Sequence, residues 1–427
     1  MASPSMSQLS GAAAVLALLP SSPSQQMLCV LVGIITYLVL VSSLRFQRRG
    51  TLHRKYGYYS TRKAMGQMTD QDAWAIQKTI MQTEFPFIVL KSLQFALFRT
   101  YGIPTISTLL LKTSQFSDSA TSFKRYADTG TLIGEFMAFD PSSERAQTAI
   151  ARTKFLHQGY RASGKILEAD MLYTLSLFAI EPIRFVKQYE WREMTEMEKC
   201  AVGTYWKSLG DALGISYEVL PSGKTGFQDG IHWLEEIGAW SSQYEAEHMR
   251  PHPRNKEISE KTIDVLVYNL PGFMKPLGEY FVSFLMDERL RGAMMMNPPP
   301  AFLKLTFDAI FKLRQLYLRY LALPRPNFMR LDVFAEKANK HGRNWVLIYE
   351  GAPFYVQPTI WNRWGPVAWF KWALGQPLPG DDGDKYYPQG YYTADLGPKY
   401  FEGKGRKELE VIQETLRQER MGQCPFP

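Results

Sequence analysis

An all-α protein with one membrane-spanning helix near its N-terminus is the fold that the sequence predicts. Residues 27–44 are apolar and uncharged over a length that suits a bilayer. Apolar residues recur at helical spacing through most of the remaining chain, whereas the strict alternation that indicates strands is scarce. We therefore expect a transmembrane helix followed by a single large helical domain over residues 57–400.

The apolar segment 27–44 has the features of an uncleaved membrane anchor. Its 18 residues would form a helix about 27 Å long, close to the roughly 30 Å of bilayer hydrocarbon. Residues 1–26 carry no charge, whereas Arg45, Arg48 and Arg49 follow directly. The positive-inside rule then predicts a short non-cytosolic N-terminus and a cytosolic domain. A cleaved signal peptide fits less well, because the positive charge lies on the wrong side.

Capping residues and apolar periodicity predict the helices of the domain. Thr69 caps a helix that we expect to run to Gln82, and an apolar stretch from Phe85 to Leu97 follows it. Further helices are predicted at 121–138, 143–164, 168–180, 195–214, 228–246, 258–270, 275–293, 300–322 and 405–421. The last of these belongs to a charged C-terminal helix and tail over residues 401–427.

Two late segments have the composition of protein segments that bind a membrane surface. Residues 301–323 mix large apolar residues with Lys and Arg, as in a basic amphipathic helix. Residues 361–372 contain four of the ten tryptophans, and Trp prefers the bilayer interface. Packing in the soluble core is the alternative for both segments, and the sequence leaves this open.

The overall charge and the cysteines exclude several classes of protein. The net charge is +8, but basic tracts interleaved with aromatics are lacking beyond the membrane flank, so nucleic acid is not an expected partner. The three cysteines are far apart and form no Cys-x-x-Cys motif, which argues against a disulfide framework or a structural zinc site.

His157 is the histidine with the most suggestive surroundings. Lys154 and Arg161 share its helical face, and two nearby cations disfavour the imidazolium, leaving the neutral form that a metal ligand requires. Nearby cations would also suit an anionic cofactor, such as the propionates of a haem. The residues alone leave open whether His157 is a ligand or an ordinary core or surface histidine.

Arg125, Asp128 and Thr129 form a second group on one helical face. Taken alone, this spacing is typical of an ion pair on a helix surface. Asp128 and, one to two turns later, Glu135 are the only general-base candidates that the sequence offers near this group, and both are weak.

Several segments resemble a known oxygenase family. They resemble the fungal ER-bound oxygenases of the mpaB type, from mycophenolic acid biosynthesis, and more weakly the bacterial rubber oxygenases, or latex-clearing proteins. The resemblance to the mpaB type covers nearly the whole chain, including the anchor. The segments that carry it are 95–105, 123–129, 155–165, 170–175, 189–192, 205–211 and 398–403.

This resemblance implies a globin-like helical domain that binds haem b. Phe155-Leu-His-Gln-Gly-Tyr-Arg161 matches the helix that supplies the proximal histidine in rubber oxygenases, which implies that His157 binds the iron. Arg125 and Thr129 match a distal-side Arg-x-x-Lys-Thr pattern, whereas Asp128 replaces its lysine. A distal face closed by lysine is therefore in doubt for this chain.

The implied activity is oxidative cleavage of a carbon–carbon double bond in a prenyl side chain. Its expected partners are O2, a lipophilic prenylated substrate and the lipid bilayer of the endoplasmic reticulum, and the oligomeric state is not predicted. Two rivals remain: a non-haem carboxylate oxygenase that uses Glu245 and His248, and a non-enzymatic membrane protein that binds lipid.

Overall fold

The computed structural model describes residues 22–113, 119–419 and 422–427. Over these residues the all-α class is confirmed, since helices dominate and the only β-pairing is three isolated bridges. The helices are α1 Pro23–Arg45, α2 Gln47–Lys55, α3 Arg62–Met65, α4 Asp70–Thr79, α5 Pro86–Thr100, α6 Pro104–Lys112, α7 Ser119–Ala138, α8 Glu144–Ala162, α9 Glu168–Tyr189, α10 Glu196–Leu213, α11 Gly230–His248, α12 Pro253–Leu266, α13 Lys275–Leu285, α14 Glu288–Ala293, α15 Ala301–Leu316, α16 Ile360–Trp364, α17 Pro366–Ala373 and α18 Arg406–Glu419.

The predicted anchor is a helix, α1, whose N-terminal two-thirds projects away from the domain. Ser22 caps it and Pro23 occupies its first turn, so the helix begins four residues before the predicted span. Together with α2 it is long and apolar enough to cross a membrane. Val41 and Arg45 are buried, so the end of α1 that carries the basic residues packs against the domain. The predicted N-terminal segment 1–26 lies mostly outside the described residues.

The core of the domain forms around α9 and α10. α9 packs along α5, while α10 packs between α4 and α11. Trp206 and Trp233, on α10 and α11, are fully buried. Gly203 and Gly230 allow close approach of these two helices, because a Cβ on Gly203 would lie 2.1 Å from the carbonyl oxygen of Gly230. The charged C-terminal helix, α18, packs on α8 through the buried Leu409 and Leu416.

Three predicted helices have wrong boundaries. The helix predicted to end at residue 180 continues through Pro182 to Tyr189. Burial of Phe185, Val186 and Tyr189 offsets the roughly 3 kcal/mol that an internal proline costs.

The single helix predicted at 275–293 is two helices, α13 and α14. Asp287 separates them, because its side chain caps α14 by accepting from the Leu290 amide at 2.9 Å. The helix predicted at 258–270 begins earlier, at Pro253, and ends at Leu266. α6 was not predicted, although Pro104 stands at its first position, where proline is favoured.

Candidate functional site

The described part of the domain encloses a cavity of about 540 Å³ that is lined mainly by apolar side chains. Helices α4 to α10 and α12 contribute to its wall, together with residues 331–334, 346–354 and 397–401. Leu97, Leu156 and Phe178 are typical of the lining. A space of this size and polarity suits a lipophilic ligand, with a few polar groups to orient it.

His157 lies on the wall of this cavity, where α8 faces it. Burial lowers the pKa of its imidazole, a hydrogen bond with the Thr153 backbone opposes that shift in part, and the charges of Arg125 and Arg161 lower the pKa further. The imidazole is therefore neutral near pH 7. Its Nδ1 is enclosed by protein, which leaves Nε2 as the nitrogen available to a ligand in the cavity.

Arg125 and Thr129 reach the same cavity from α7. Burial lowers the pKa of Arg125, while the electrostatic influence of Tyr101, Tyr400 and Tyr160 opposes that shift. Even a lowered arginine pKa leaves the guanidinium charged near neutral pH. The cavity thus carries a neutral imidazole and a permanent cation on adjoining helices.

Asp128 also borders the cavity, but its carboxylate is engaged elsewhere. One oxygen accepts from Lys124 Nζ at 2.7 Å and the other from the Tyr355 hydroxyl at 2.5 Å. Burial raises its pKa, and Lys124 and Tyr355 oppose the shift. Glu135, the other weak candidate for a general base, lies off the cavity and forms a bidentate pair with Arg145 at 2.6 Å. Neither is placed as a free base.

Lys154 and Arg161 share a face with His157, yet neither lines the cavity. Lys154 Nζ donates to the Ala212 carbonyl at 3.3 Å, and Arg161 donates to the carbonyls of Leu213 and Gly214 at 2.9 and 2.7 Å. Both cations therefore cap the C-terminal end of α10, where the helix dipole favours positive charge. Four of the six predicted site residues therefore line one cavity: Arg125, Asp128, Thr129 and His157. The other two, Lys154 and Arg161, bind the end of α10 instead.

Several polar residues of the wall were missed by the sequence reasoning. Lys78 lines the cavity from α4, and burial lowers its pKa. Tyr160 hydrogen-bonds to Tyr400, whose pKa is raised to about 12, first by burial and then by this bond. Asp170 receives hydrogen bonds from Tyr244 and Thr105 at 2.8 and 3.0 Å. Segments around 160, 170 and 400 resembled the oxygenase family, and this was the available signal.

The rival carboxylate site is not assembled. Glu245 binds Arg99 through both oxygens at 2.7 Å and accepts from the Tyr173 hydroxyl at 2.8 Å. His248 is exposed at the end of α11 and packs on Tyr244. Within the described ranges, no three His, Cys, Asp or Glu residues are grouped as a metal site would need.

Curated relatives show the family of this chain. ER-bound oxygenase mpaB′ of Penicillium brevicompactum is 52% identical over 424 residues, which cover 99% of this chain and 98% of the relative. ER-bound oxygenase mpaB of the same species is 47% identical over 396 residues, 93% of each chain. The chain belongs to the mpaB family of ER-bound oxygenases. A third relative, ER-bound oxygenase mpaB of Penicillium roqueforti, is 56% identical over 262 residues, 61% of this chain and 88% of its own length. No family model matches the chain.

Membership of the mpaB family makes the chain an oxidoreductase, and its relatives' ER-bound character agrees with the helix α1. An oxygenase needs a group that activates O2, and the cavity fits a haem in two respects. Its wall is apolar, and His157 presents a neutral imidazole with one nitrogen open to the cavity. Lys78 and Arg125 are the cationic side chains on the described wall, and Lys78 suits an anionic propionate better than Lys154 and Arg161 do, because these two lie off the cavity.

Proposed function

We propose that this mpaB-family oxygenase cleaves a double bond in the prenyl side chain of a meroterpenoid, such as a farnesylated phthalide of mycophenolic acid biosynthesis, with haem b as its cofactor. The juxtaposition of His157 and Arg125 on the wall of one large apolar cavity supports this most directly. The relatives' names support the oxygenase activity, and the apolar lining suits a prenyl chain.

His157 is assigned as the iron ligand, through Nε2. Bound haem would supply the activation of O2. Arg125 keeps a positive charge in a water-poor cavity, where a fixed cation stabilises developing negative charge far more than it would in water. Thr129, one turn later on α7, adds a hydroxyl on the same side. The apolar wall holds the prenyl chain and excludes water from it.

We further propose that the catalytic domain faces the cytosol, with α1 as a single-pass anchor in the membrane of the endoplasmic reticulum. The positively charged residues after α1 support this orientation, since Arg48, Arg49 and Arg54 all follow the span. A tag on the C-terminus should therefore be digested by protease added to intact microsomes. Protection of that tag until detergent is added would reverse the orientation.

The assignment of His157 is tested by His157→Ala in the full-length, detergent-solubilised protein. We expect loss of bound haem and of iron, seen as a missing Soret band and a low iron content. Helical content should be unchanged, because His157 borders a cavity rather than filling the core. His248→Ala is the matched control, since its imidazole is exposed and lies outside the cavity.

Each alternative outcome contradicts a different part of the proposed function. Full haem occupancy in the His157→Ala variant would refute the ligand assignment. Iron without a Soret band, lost in the His248→Ala variant, would favour the non-haem oxygenase. A wild-type protein that binds neither haem nor iron and consumes no O2 with any prenylated compound would refute the proposed cofactor and activity.

A further inference from the structure

The π-helix Tyr317–Leu321, which follows α15 directly, lies beside the membrane-spanning part of the anchor. The Tyr37 hydroxyl donates to the Leu321 carbonyl at 2.7 Å, and Arg45 donates to the carbonyl of Ala322. Tyr37 precedes Arg45 by eight residues, which is about 12 Å along a helix. If α1 crosses the bilayer with Arg45 at its boundary, the chain at Leu321 lies at the depth of the hydrocarbon.

The outer face of α15 is apolar over its whole length. Its inner face packs through Phe307 and Phe311 against Phe281 and Phe284 of α13. The outer positions lie within an arc of about 80° at 100° per residue, and all of them are exposed: Phe302, Leu305, Ala309, Leu313 and Leu316. Leu305 is 71% exposed. A continuous apolar stripe of this kind marks an interaction surface, because water solvates it poorly.

The Trp-rich helices α16 and α17 present a second apolar surface. Trp361, Trp364, Trp369 and Trp372 are all more than half exposed, and Trp361 is 72% exposed. Gly365 makes a tight break between the two short helices, where a Cβ would lie 2.5 Å from the Trp361 carbonyl oxygen. Exposed tryptophans at this density are typical of proteins that insert into the region between lipid headgroups and acyl chains.

A continuous path of contacts connects α17 with the anchor. Lys371 Nζ lies 3.5 Å from the centre of the Tyr349 ring. Leu347 lies two residues before Tyr349 in the chain, and its backbone amide donates to the Val333 carbonyl. The neighbouring Leu331 amide donates to the Gln82 carbonyl, and Arg48 binds Glu84 at 3.1 Å.

From these contacts we propose that the folded domain itself rests on the lipid bilayer, through the outer stripe of α15 and the tryptophans of α16 and α17. The anchor fixes the domain at the membrane, and these two surfaces orient it there. Lipid is the occupant that the surroundings favour, because the chain that follows the stripe contacts the membrane-spanning helix α1. Lys312 flanks the stripe, as expected beside anionic headgroups.

This orientation would place one wall of the cavity against the membrane. Ile348, Tyr349 and Glu350 line the cavity, and Tyr349 also contacts Lys371 of α17. A lipophilic substrate could then pass from the bilayer into the cavity without crossing water. This last step rests on the proposed function, whereas the docking of the domain does not.

The docking is tested by tryptophan fluorescence of the full-length protein in nanodiscs of phosphatidylcholine and phosphatidylserine, with and without brominated acyl chains. Bromine quenches only tryptophans in or near the bilayer. Replacement of Trp361, Trp364, Trp369 and Trp372 by Phe preserves apolar aromatic rings while removing these reporters. We expect this variant to lose at least half of the bromine-dependent quenching. Trp240→Phe, on α11, is the control and should lose little.

The stripe of α15 is tested in the four-Phe background by Leu313→Trp, which should restore quenching. Val219→Trp is its control, because Val219 follows the C-terminal end of α10. The opposite end of α10 is the one near the anchor: Glu198 binds Arg192, and Arg192 binds Glu84, the partner of Arg48. α10 has 18 residues and so is about 27 Å long, which separates the control residue from the end of α10 that connects to the anchor.

Equal quenching of the wild-type and four-Phe proteins would overturn the assignment of α16 and α17. Absence of quenching at Leu313→Trp would overturn that of α15. Both results together would leave α1 as the sole membrane contact. The readout needs neither haem nor substrate, so a failure of the proposed function would leave it unchanged. Circular dichroism of each variant shows whether the fold is retained.

Discussion

The role of Glu245 distinguishes the proposed haem site from the rival non-haem site. Glu245 is a structural partner of Arg99 in the first case and a metal ligand in the second. In the structure it neutralises the buried Arg99, and Arg99 also binds Asp287 at 2.6 Å and lies 3.7 Å from Glu181. Burial lowers the pKa of Arg99, but the hydrogen bonds and charge of Glu245 outweigh this and raise it well above its ordinary value. Glu245 thus stabilises the packing of α5 against α11.

The change Glu245→Gln keeps the shape of the side chain and removes its charge. Breaking a buried ion pair costs about 3–5 kcal/mol. We expect the lower end, about 3 kcal/mol, because Asp287 and Glu181 still neutralise part of the Arg99 charge. In a domain of this size that loss lowers the thermal midpoint by about 5 °C.

The assay is thermal unfolding in detergent at one heating rate, with iron content and O2 consumption measured on the same preparation. Glu247→Gln, two residues later and exposed, is the matched control and should change stability by less than about 0.5 kcal/mol. Folded Glu245→Gln protein should keep its cofactor and most of its activity. Unchanged stability with loss of iron would refute the structural role and support a metal ligand.

Three further predictions concern the cavity and the core. Arg125→Gln should retain haem but lose activity by roughly a hundredfold, because an aimed cation is removed from the wall; activity within about twofold of wild type, measured by O2 uptake, would contradict this. Gly203→Ala should destabilise the fold by more than about 2 kcal/mol in thermal unfolding, because the new methyl group meets the Gly230 carbonyl; an unchanged midpoint would refute that close contact. Burial raises the pKa of Asp170, so the folded state holds that proton more tightly and stability should fall as pH rises from about 4 through the raised pKa, by at most about 1.4 kcal/mol per pH unit. Asp170→Asn should flatten that part of the stability curve, and an identical slope in both proteins would contradict the shift.

The helices that the sequence predicts well are those with local end signals. Thr69, Ser143 and Thr195 each cap a helix within a residue or two of the predicted start. The boundary errors have tertiary causes instead. The second half of α9 exists because distant aromatic residues bury it, and Asp287 interrupts a helix while it also binds Arg99, nearly 200 residues earlier. Such contacts leave no signature in a local window.

The same difference between local and tertiary contacts explains which residues of the candidate site could be predicted. Helical spacing correctly places Lys154, His157 and Arg161 on one face of α8, but that face is wide enough to meet two neighbours. Its central residue borders the cavity, while the two flanking cations reach the end of α10. Lys78 could not be predicted from spacing at all, because α4 and α8 approach the cavity from separate parts of the chain.

Arg99 and Arg125 show why position relative to the cavity decides function. Arg99 does not line the cavity, and the carboxylates around it neutralise it, so its charge serves to hold helices together. Arg125 lies on the cavity wall, where Tyr101, Tyr400, Tyr160 and Asp128 all influence its pKa. Lys124, one residue away, pairs with the only carboxylate of that turn, Asp128. Where the rubber-oxygenase pattern that this segment resembles has a lysine, this chain has Asp128. It provides a partner that holds Lys124, so that Arg125 is the cation that α7 presents to the cavity.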